Sequence, residues 1–218
     1  MRYAIVSANV AQAMRRALAI AAVLALPLVA TAGELVCPAD AELRGAAPPG
    51  GRRQWCEDAQ RRQHGPSVAW DEQSRRRMEA HFEHGAMQGA YRTWHENGQL
   101  ALTGAYAADK REGLWEAWYP DGTRARSQEY RGGQQNGVAK EWYPNGQLRF
   151  EEHYADGERH GHAVAYYESG QKQSEGSFAR GAFDGTWTGW YEDGATRKIA
   201  TYQRGTKTSE QEFPRAND

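Results

Sequence analysis

Gly113-Leu-Trp-Glu-Ala-Trp-Tyr-Pro-Asp-Gly-Thr-Arg-Ala-Arg-Ser-Gln-Glu-Tyr130 is one copy of the pattern that decides the fold. Two runs of extended character flank Asp121-Gly122, and a second glycine-bearing joint, Arg131-Gly132-Gly133, follows them. Moving 24 residues in either direction reproduces the pattern. Its first aromatic recurs as Trp94, Trp118, Trp142, Tyr166 and Trp190, with a glycine four residues later at Gly98, Gly122, Gly146, Gly170 and Gly194. A second aromatic recurs as Tyr106, Tyr130, Tyr154, Phe178 and Tyr202, and a second glycine as Gly89, Gly113, Gly137, Gly161 and Gly185. Four registers that hold one period define a repeat architecture. One period earlier, Gly65, Trp70, Phe82 and Gly85 form a degenerate sixth copy.

Asn-Gly and Asp-Gly between extended runs are the signal for a two-residue type I′ hairpin, so Asn97-Gly98, Asp121-Gly122, Asn145-Gly146 and Asp193-Gly194 are expected to form such turns. The second joint carries Gly133, Gly157, Gly181 and Gly205, with Asp109 in one copy, a residue that tolerates a left-handed backbone. Each repeat then supplies two antiparallel strands, giving about 12 strands in the six copies. A short helix is expected only near Asp71–Glu79, where Arg75, Arg76 and Arg77 interrupt the pattern. With two-residue loops, one face collects Trp115, Ala117, Tyr119, Arg124, Arg126, Gln128 and Tyr130, and includes Leu100, Leu148 and Trp187 of sister copies. The other face carries Leu114, Glu116 and Trp118.

The stretches Trp94-His-Glu-Asn-Gly98, Trp118-Tyr-Pro-Asp-Gly122, Trp142-Tyr-Pro-Asn-Gly146, Tyr166-Tyr-Glu-Ser-Gly170 and Trp190-Tyr-Glu-Asp-Gly194 resemble the MORN repeat, in the variant class common in bacterial antitoxin-like proteins. The resemblance covers residues 63–207. It implies an all-β fold, an elongated twisted single-layer antiparallel sheet of tandem hairpins used for protein or surface contact, without catalysis. The antitoxin-like label fits poorly with the export signal described next.

Arg2, Arg15 and Arg16 precede an apolar run from Ala17 to Ala30, and Ala30-Thr31-Ala32 presents small residues where a signal peptidase cleaves. Residues 1–32 are therefore expected to be a secretory signal peptide, Gly33 the mature N-terminus, and the protein periplasmic or secreted. Cys37 and Cys56, the only cysteines, lie in residues 33–62. An exported chain with an even cysteine count pairs them, so a disulfide-closed N-terminal segment is expected before the repeats. Residues 208–218 form a polar C-terminal tail.

Without residues 1–32, 24 basic residues face 28 acidic ones, a net of −4. Sequence-independent nucleic-acid binding needs a concentrated basic face, and anionic lipid surfaces need the same, so neither partner is expected. Aliphatic residues are scarce beyond the signal, and the apolar area must come from aromatics laid across a sheet. His153, His160 and His162 could gather a metal, but they do not recur in other copies and are read as solvated turn residues. Glu151 and Glu152 point to opposite faces and cannot act as a carboxylate pair. No phosphate loop, nucleophile elbow or cysteine–histidine pattern is present. Neither enzyme, cofactor nor metal is expected.

The ladder Trp94, Trp118, Trp142, Tyr166 and Trp190 has rungs roughly 10 Å apart. Such rings bind an extended partner, or they pack on neighbouring hairpins and supply cohesion. Arg92, Glu116, Lys140, Val164 and Thr188 differ at equivalent positions, which favours a protein partner over a repetitive glycan. The readings are a protein-binding scaffold or adaptor in the bacterial envelope, a cell-wall or glycan-binding module, and an immunity or antitoxin-like inhibitor.

Overall fold

A computed structural model describes residues 35–215. The expected signal peptide and Gly33 lie outside them. The described chain is all β. Before and into the first copy run β1 (Ala41–Ala46), β2 (Arg53–Asp58), β3 (Gln63–Trp70), β4 (Arg76–Glu83) and β5 (Ala86–Met87). Then follow β6 (Gly89–Trp94), β7 (Leu100–Ala107), β8 (Lys110–Trp118), β9 (Arg124–Arg131) and β10 (Gln134–Trp142). The rest are β11 (Leu148–Ala155), β12 (Glu158–Tyr166), β13 (Lys172–Ala179), β14 (Ala182–Trp190), β15 (Thr196–Gln203) and β16 (Thr206–Glu212). All belong to one open sheet in which sequence neighbours pair antiparallel, with β5 pairing β4 alone. The repeats supply the expected strands, β5 and β6 being one strand broken before Gly89. The sheet gains β1 and β2 at one edge and β16 at the other. Cys37 and Cys56 form the expected disulfide, tying the chain before β1 to β2.

The helix expected near Asp71–Glu79 is absent, and Arg76–Glu83 is strand β4. Asp71 decides this. Its Oδ1 accepts from the main-chain N–H groups of Gln73 and Arg75, and its Oδ2 from Arg75 Nε at 2.8 Å. These bonds close a turn at the place where Asp and Asn compete with helix formation. Ser74, at φ 63°, occupies the position held by glycine in later copies.

The Asp-Gly and Asn-Gly joints do not form the expected type I′ turns. At Asp121-Gly122 only the glycine has positive φ, 88°. Tyr119 N–H donates to Thr123 O at 2.8 Å and Gly122 N–H to Tyr119 O at 2.9 Å. The loop is therefore three residues, Pro120-Asp121-Gly122, a type I turn followed by a left-handed glycine and its bulge. The type I′ turns lie at the other joint, where both residues have positive φ: Gly132-Gly133 at 56° and 88°, Asp156-Gly157 at 50° and 87°, and Ala108-Asp109 at 47° and 65°.

The extra loop residue shifts the register beside the turn. Ala117 pairs Arg126, but Trp118 pairs Arg124. Away from the turn, Trp115 opposes Gln128 and Gly113 opposes Tyr130, so that face is as expected. Arg124, Leu100 and Leu148 move to the opposite face, each cross-strand from a ladder ring.

A sheet with no second layer among the described residues builds its core by laying rings flat on itself. Trp115 is 3% exposed. Its ring lies 4.9 Å from Tyr106, 5.8 Å from Tyr91 and 6.3 Å from Tyr130, with the Arg111 guanidinium 4.4 Å above it. The indole covers Gly104, where an added Cβ would stand 2.2 Å from Trp115 Cδ2. Trp187 repeats the arrangement over Gly176, also at 2.2 Å, against Phe178 and Phe183 at 5.0 and 4.8 Å. Between these nests Ala139 opposes Gln128 and Ala163 opposes Glu152. A ring is matched with glycine, and a small residue with a long one.

Candidate functional site

The ladder occupies one cross-strand row near the three-residue turns. Trp70 pairs Arg76, Trp94 pairs Leu100, and Trp118 pairs Arg124. Trp142 pairs Leu148, Tyr166 pairs Lys172, and Trp190 pairs Thr196. The preceding hairpin covers the other side of several rings. Arg76 lies 5.8 Å from the Trp94 centroid, Arg124 5.4 Å from Trp142, and the Lys172 ammonium 5.9 Å from Trp190. All five rings are half-buried. Arg and Lys stems thus reach from one hairpin to the next ring at three of the rungs, and the row is a half-exposed stripe of rings and cations.

Behind the ladder runs a set of bonds that the sequence reading missed. Tyr119 Oη donates to Trp142 O at 2.8 Å, Tyr143 Oη to Tyr166 O at 3.0 Å, and Tyr167 Oη to Trp190 O at 2.8 Å. In the first clear copy His95 Nε2 takes this place, 2.7 Å from Trp118 O. Asn145 Nδ2 likewise donates to Glu168 O of the next turn at 2.9 Å, and Asn97 Nδ2 donates to Pro120 O. Each ladder residue from Trp118 to Trp190 is therefore held at its main chain by the preceding copy. The signal was present: a Tyr or His directly follows every ladder ring from Trp94 onward.

On the ladder face the charges are largely paired. Lys140 meets Glu151 at 2.8 Å, Arg124 meets Glu116 at 3.3 Å, and Glu175 meets both Lys172 at 2.7 Å and His162 at 2.8 Å. The Lys172 and His162 bonds hold the Glu175 carboxyl below its ordinary range. His153, His160 and His162 lie on strands β11 and β12, not in a turn. Among the described residues no cluster of three His, Cys, Asp or Glu side chains is arranged to hold a metal. Glu151 and Glu152 are separated by the sheet: Glu151 pairs with Lys140, while Glu152 accepts from Tyr154 Oη at 2.9 Å.

Near the disulfide, Asp58 is 6% exposed. Burial pushes its carboxyl up, but hydrogen bonds from Arg62 N, Arg62 Nε, His84 and Gln60 N more than offset this and hold it well below the usual range. His84 stacks on His64 with centroids 4.3 Å apart.

This architecture defines a tandem β-hairpin repeat protein. The family model of the MORN repeat variant matches residues 87–107, 135–156, 159–179 and 183–204, each segment spanning one hairpin about the three-residue turn. The chain belongs to that family. Residues 108–134, between the first two matches, keep the same turns and pairing. No curated protein matches the chain. Repeats of this family serve as protein- or membrane-binding modules with no catalytic machinery of their own. The disulfide points to oxidising surroundings, extracellular or periplasmic.

Proposed function

We propose that the protein is an exported, non-enzymatic scaffold that binds a protein of the bacterial envelope through its ladder face, with Trp118, Trp142 and Trp190 central. The observation that supports this is the stripe itself. Its rings are fixed at the main chain by the preceding copy, while the flanking residues run Arg76, Leu100, Arg124, Leu148, Lys172 and Thr196. A constant framework that displays a variable mixed row is suited to one irregular partner surface. Rigid rings and guanidinium groups supply contact area at low cost in side-chain entropy.

The test compares partner affinity with thermal stability for Trp142→Ala, after capture of an envelope partner by the disulfide-intact protein. A contact role predicts binding weaker by about 2 kcal/mol, roughly thirtyfold, with little change in melting temperature. A melting temperature that falls in step with the affinity returns the ring to a packing role. Retention on purified peptidoglycan with no protein captured would assign the stripe to a glycan.

A further inference from the structure

The indoles of the repeats divide by the face on which they stand. On the nest face Trp115 Nε1 donates to Ala105 O at 3.1 Å and Trp187 Nε1 to Ser177 O at 2.9 Å, each a main-chain carbonyl beside a bulge. On the ladder face the indole N–H groups of Trp94, Trp118, Trp142 and Trp190 have no acceptor among the described residues, and their rings are half-buried. An indole N–H can only donate. In the adjoining cross-strand row the carboxylates of Glu79, Glu116, Glu151 and Glu175 are each bonded to an arginine or lysine. The row therefore presents ring faces and free donors, beside charges that are already paired. Its complement is a neutral ligand rich in acceptors and poor in donors.

We propose that Trp94, Trp118 and Trp142 form a docking row for a proline-rich polypeptide segment in the polyproline II conformation. This names the partner chemistry of the ladder face and rests on its reading as a protein-binding surface. The rungs stand on every second strand, about 9.6 Å apart, and a three-residue turn of polyproline II advances about 9.3 Å. Each rung thus meets the same face of the ligand. An extended β-strand advances about 10 Å in three residues but turns the third side chain to the opposite face. An α-helix spends its carbonyls internally. Polyproline II has no internal hydrogen bonds, and proline has no N–H, so every carbonyl is open and no donor competes. The indole faces take pyrrolidine rings, and their N–H groups take the carbonyls. Sheet twist of about 20–25° per strand turns each rung by about 45° from the last, so a straight segment meets about three rungs. Trp94, Trp118 and Trp142 are the three that follow one another before Tyr166 interrupts the indoles.

The probe is nonaproline blocked at both ends, about 28 Å long against about 19 Å for three rungs. It is titrated into the disulfide-bonded protein, and the indole N–H signals are followed by NMR. Saturable shifts are expected at Trp94, Trp118 and Trp142, with none at Trp115 and Trp187. A blocked Gly-Ser peptide of equal length has no rings and loses more freedom on binding, so it should be at least about tenfold weaker. Trp118→Phe keeps a ring and removes the donor, and should weaken nonaproline binding about three- to tenfold with little change in melting temperature. If that variant does not fold, Trp94→Phe is read by the same criterion. The proposal is overturned by the absence of saturable shifts, by shifts gathered at Trp115 and Trp187, by equal affinity for the Gly-Ser peptide, or by a folded variant that binds as the parent does. Failure of nonaproline while a captured envelope protein still loses affinity on Trp142→Ala would remove this inference and leave the scaffold reading standing. Nonaproline bound at the ladder with no envelope partner captured would support the docking row and remove the envelope partner.

Discussion

The nests at Trp115 and Trp187 and the stretch between them share one backbone and fill it differently. In the nests a glycine on the neighbouring strand leaves room for an indole to lie flat. In the middle, Ala139 and Ala163 leave the same room to Gln128 and Glu152. Gln128 is 2% exposed, and its amide makes the bond to the bulge carbonyl that an indole makes elsewhere. The period thus fixes turns, bulges and register, while the core is filled by local pairs of compensating size. Rows of single-copy consensus residues do not describe such a core; pairs such as 104 with 115 do.

The largest effects should separate those regions. Trp115→Ala should cost roughly 3–5 kcal/mol in urea unfolding, as large-to-small changes at buried aromatic sites do. Gly104→Ala should cost about 1–3 kcal/mol, because its Cβ cannot coexist with the indole. Adding Trp115→Ala to Gly104→Ala should then cost far less than the sum, since the clash is gone. Additive losses would break the pairing argument. Next in size is the disulfide. Cys37→Ser with Cys56→Ser should cost roughly 3 kcal/mol by chain entropy, with amide protection lost in β1 and β2 and kept in β14 and β15. The same end should respond to acid. Asp58 has a folded-state pKa below its unfolded value, so its contribution is complete above the ordinary carboxylate range and is lost as pH falls below about 4. Asp58→Asn should flatten that part of the stability profile.

The sequence made the period, the hairpins and the antiparallel order legible, because each depends on backbone chemistry repeated at fixed spacing. It misassigned the turns because Asp-Gly fits two loop types, and only the preceding residue's conformation separates them. Pro120 and Pro144 sit well at the first position of a type I turn, where φ near −65° is needed. Heeding them would have given the three-residue loop and placed Arg124 beside Trp118. The helix at Asp71–Glu79 failed for a related reason: the arginines were read as an interruption, whereas Asp71 closes the same turn without glycine. Two substitutions sharpen this contrast. Gly122→Val, at φ 88°, should cost roughly 1–3 kcal/mol and loosen the adjoining hairpins first. Ser74→Gly, at φ 63°, should leave stability unchanged or raise it by up to about 1 kcal/mol. Equal losses at the two sites would show that the turn at Ser74 is not equivalent to the others.

The smallest effect tests what joins one copy to the next. Tyr143 and Tyr191 occupy the same position in their hairpins, yet their hydroxyls differ. Tyr143 Oη bonds to the Tyr166 carbonyl at 3.0 Å, whereas Tyr191, in the last copy, has no following ladder residue and instead lies under Arg215 at 4.3 Å. Phenylalanine keeps the ring in both places and removes only the hydroxyl. Tyr143→Phe should therefore cost about 1 kcal/mol, the usual net worth of a hydrogen bond whose acceptor is left half-buried. Tyr191→Phe should fall within about 0.5 kcal/mol of the parent, because the cation still meets a ring face. Amide exchange should quicken at the junction of β10 with β11 and β12 in the first variant only. Equal behaviour of the two would mean that the hydroxyl staples contribute nothing, and that main-chain pairing and the filled ladder row alone transmit cohesion along the sheet.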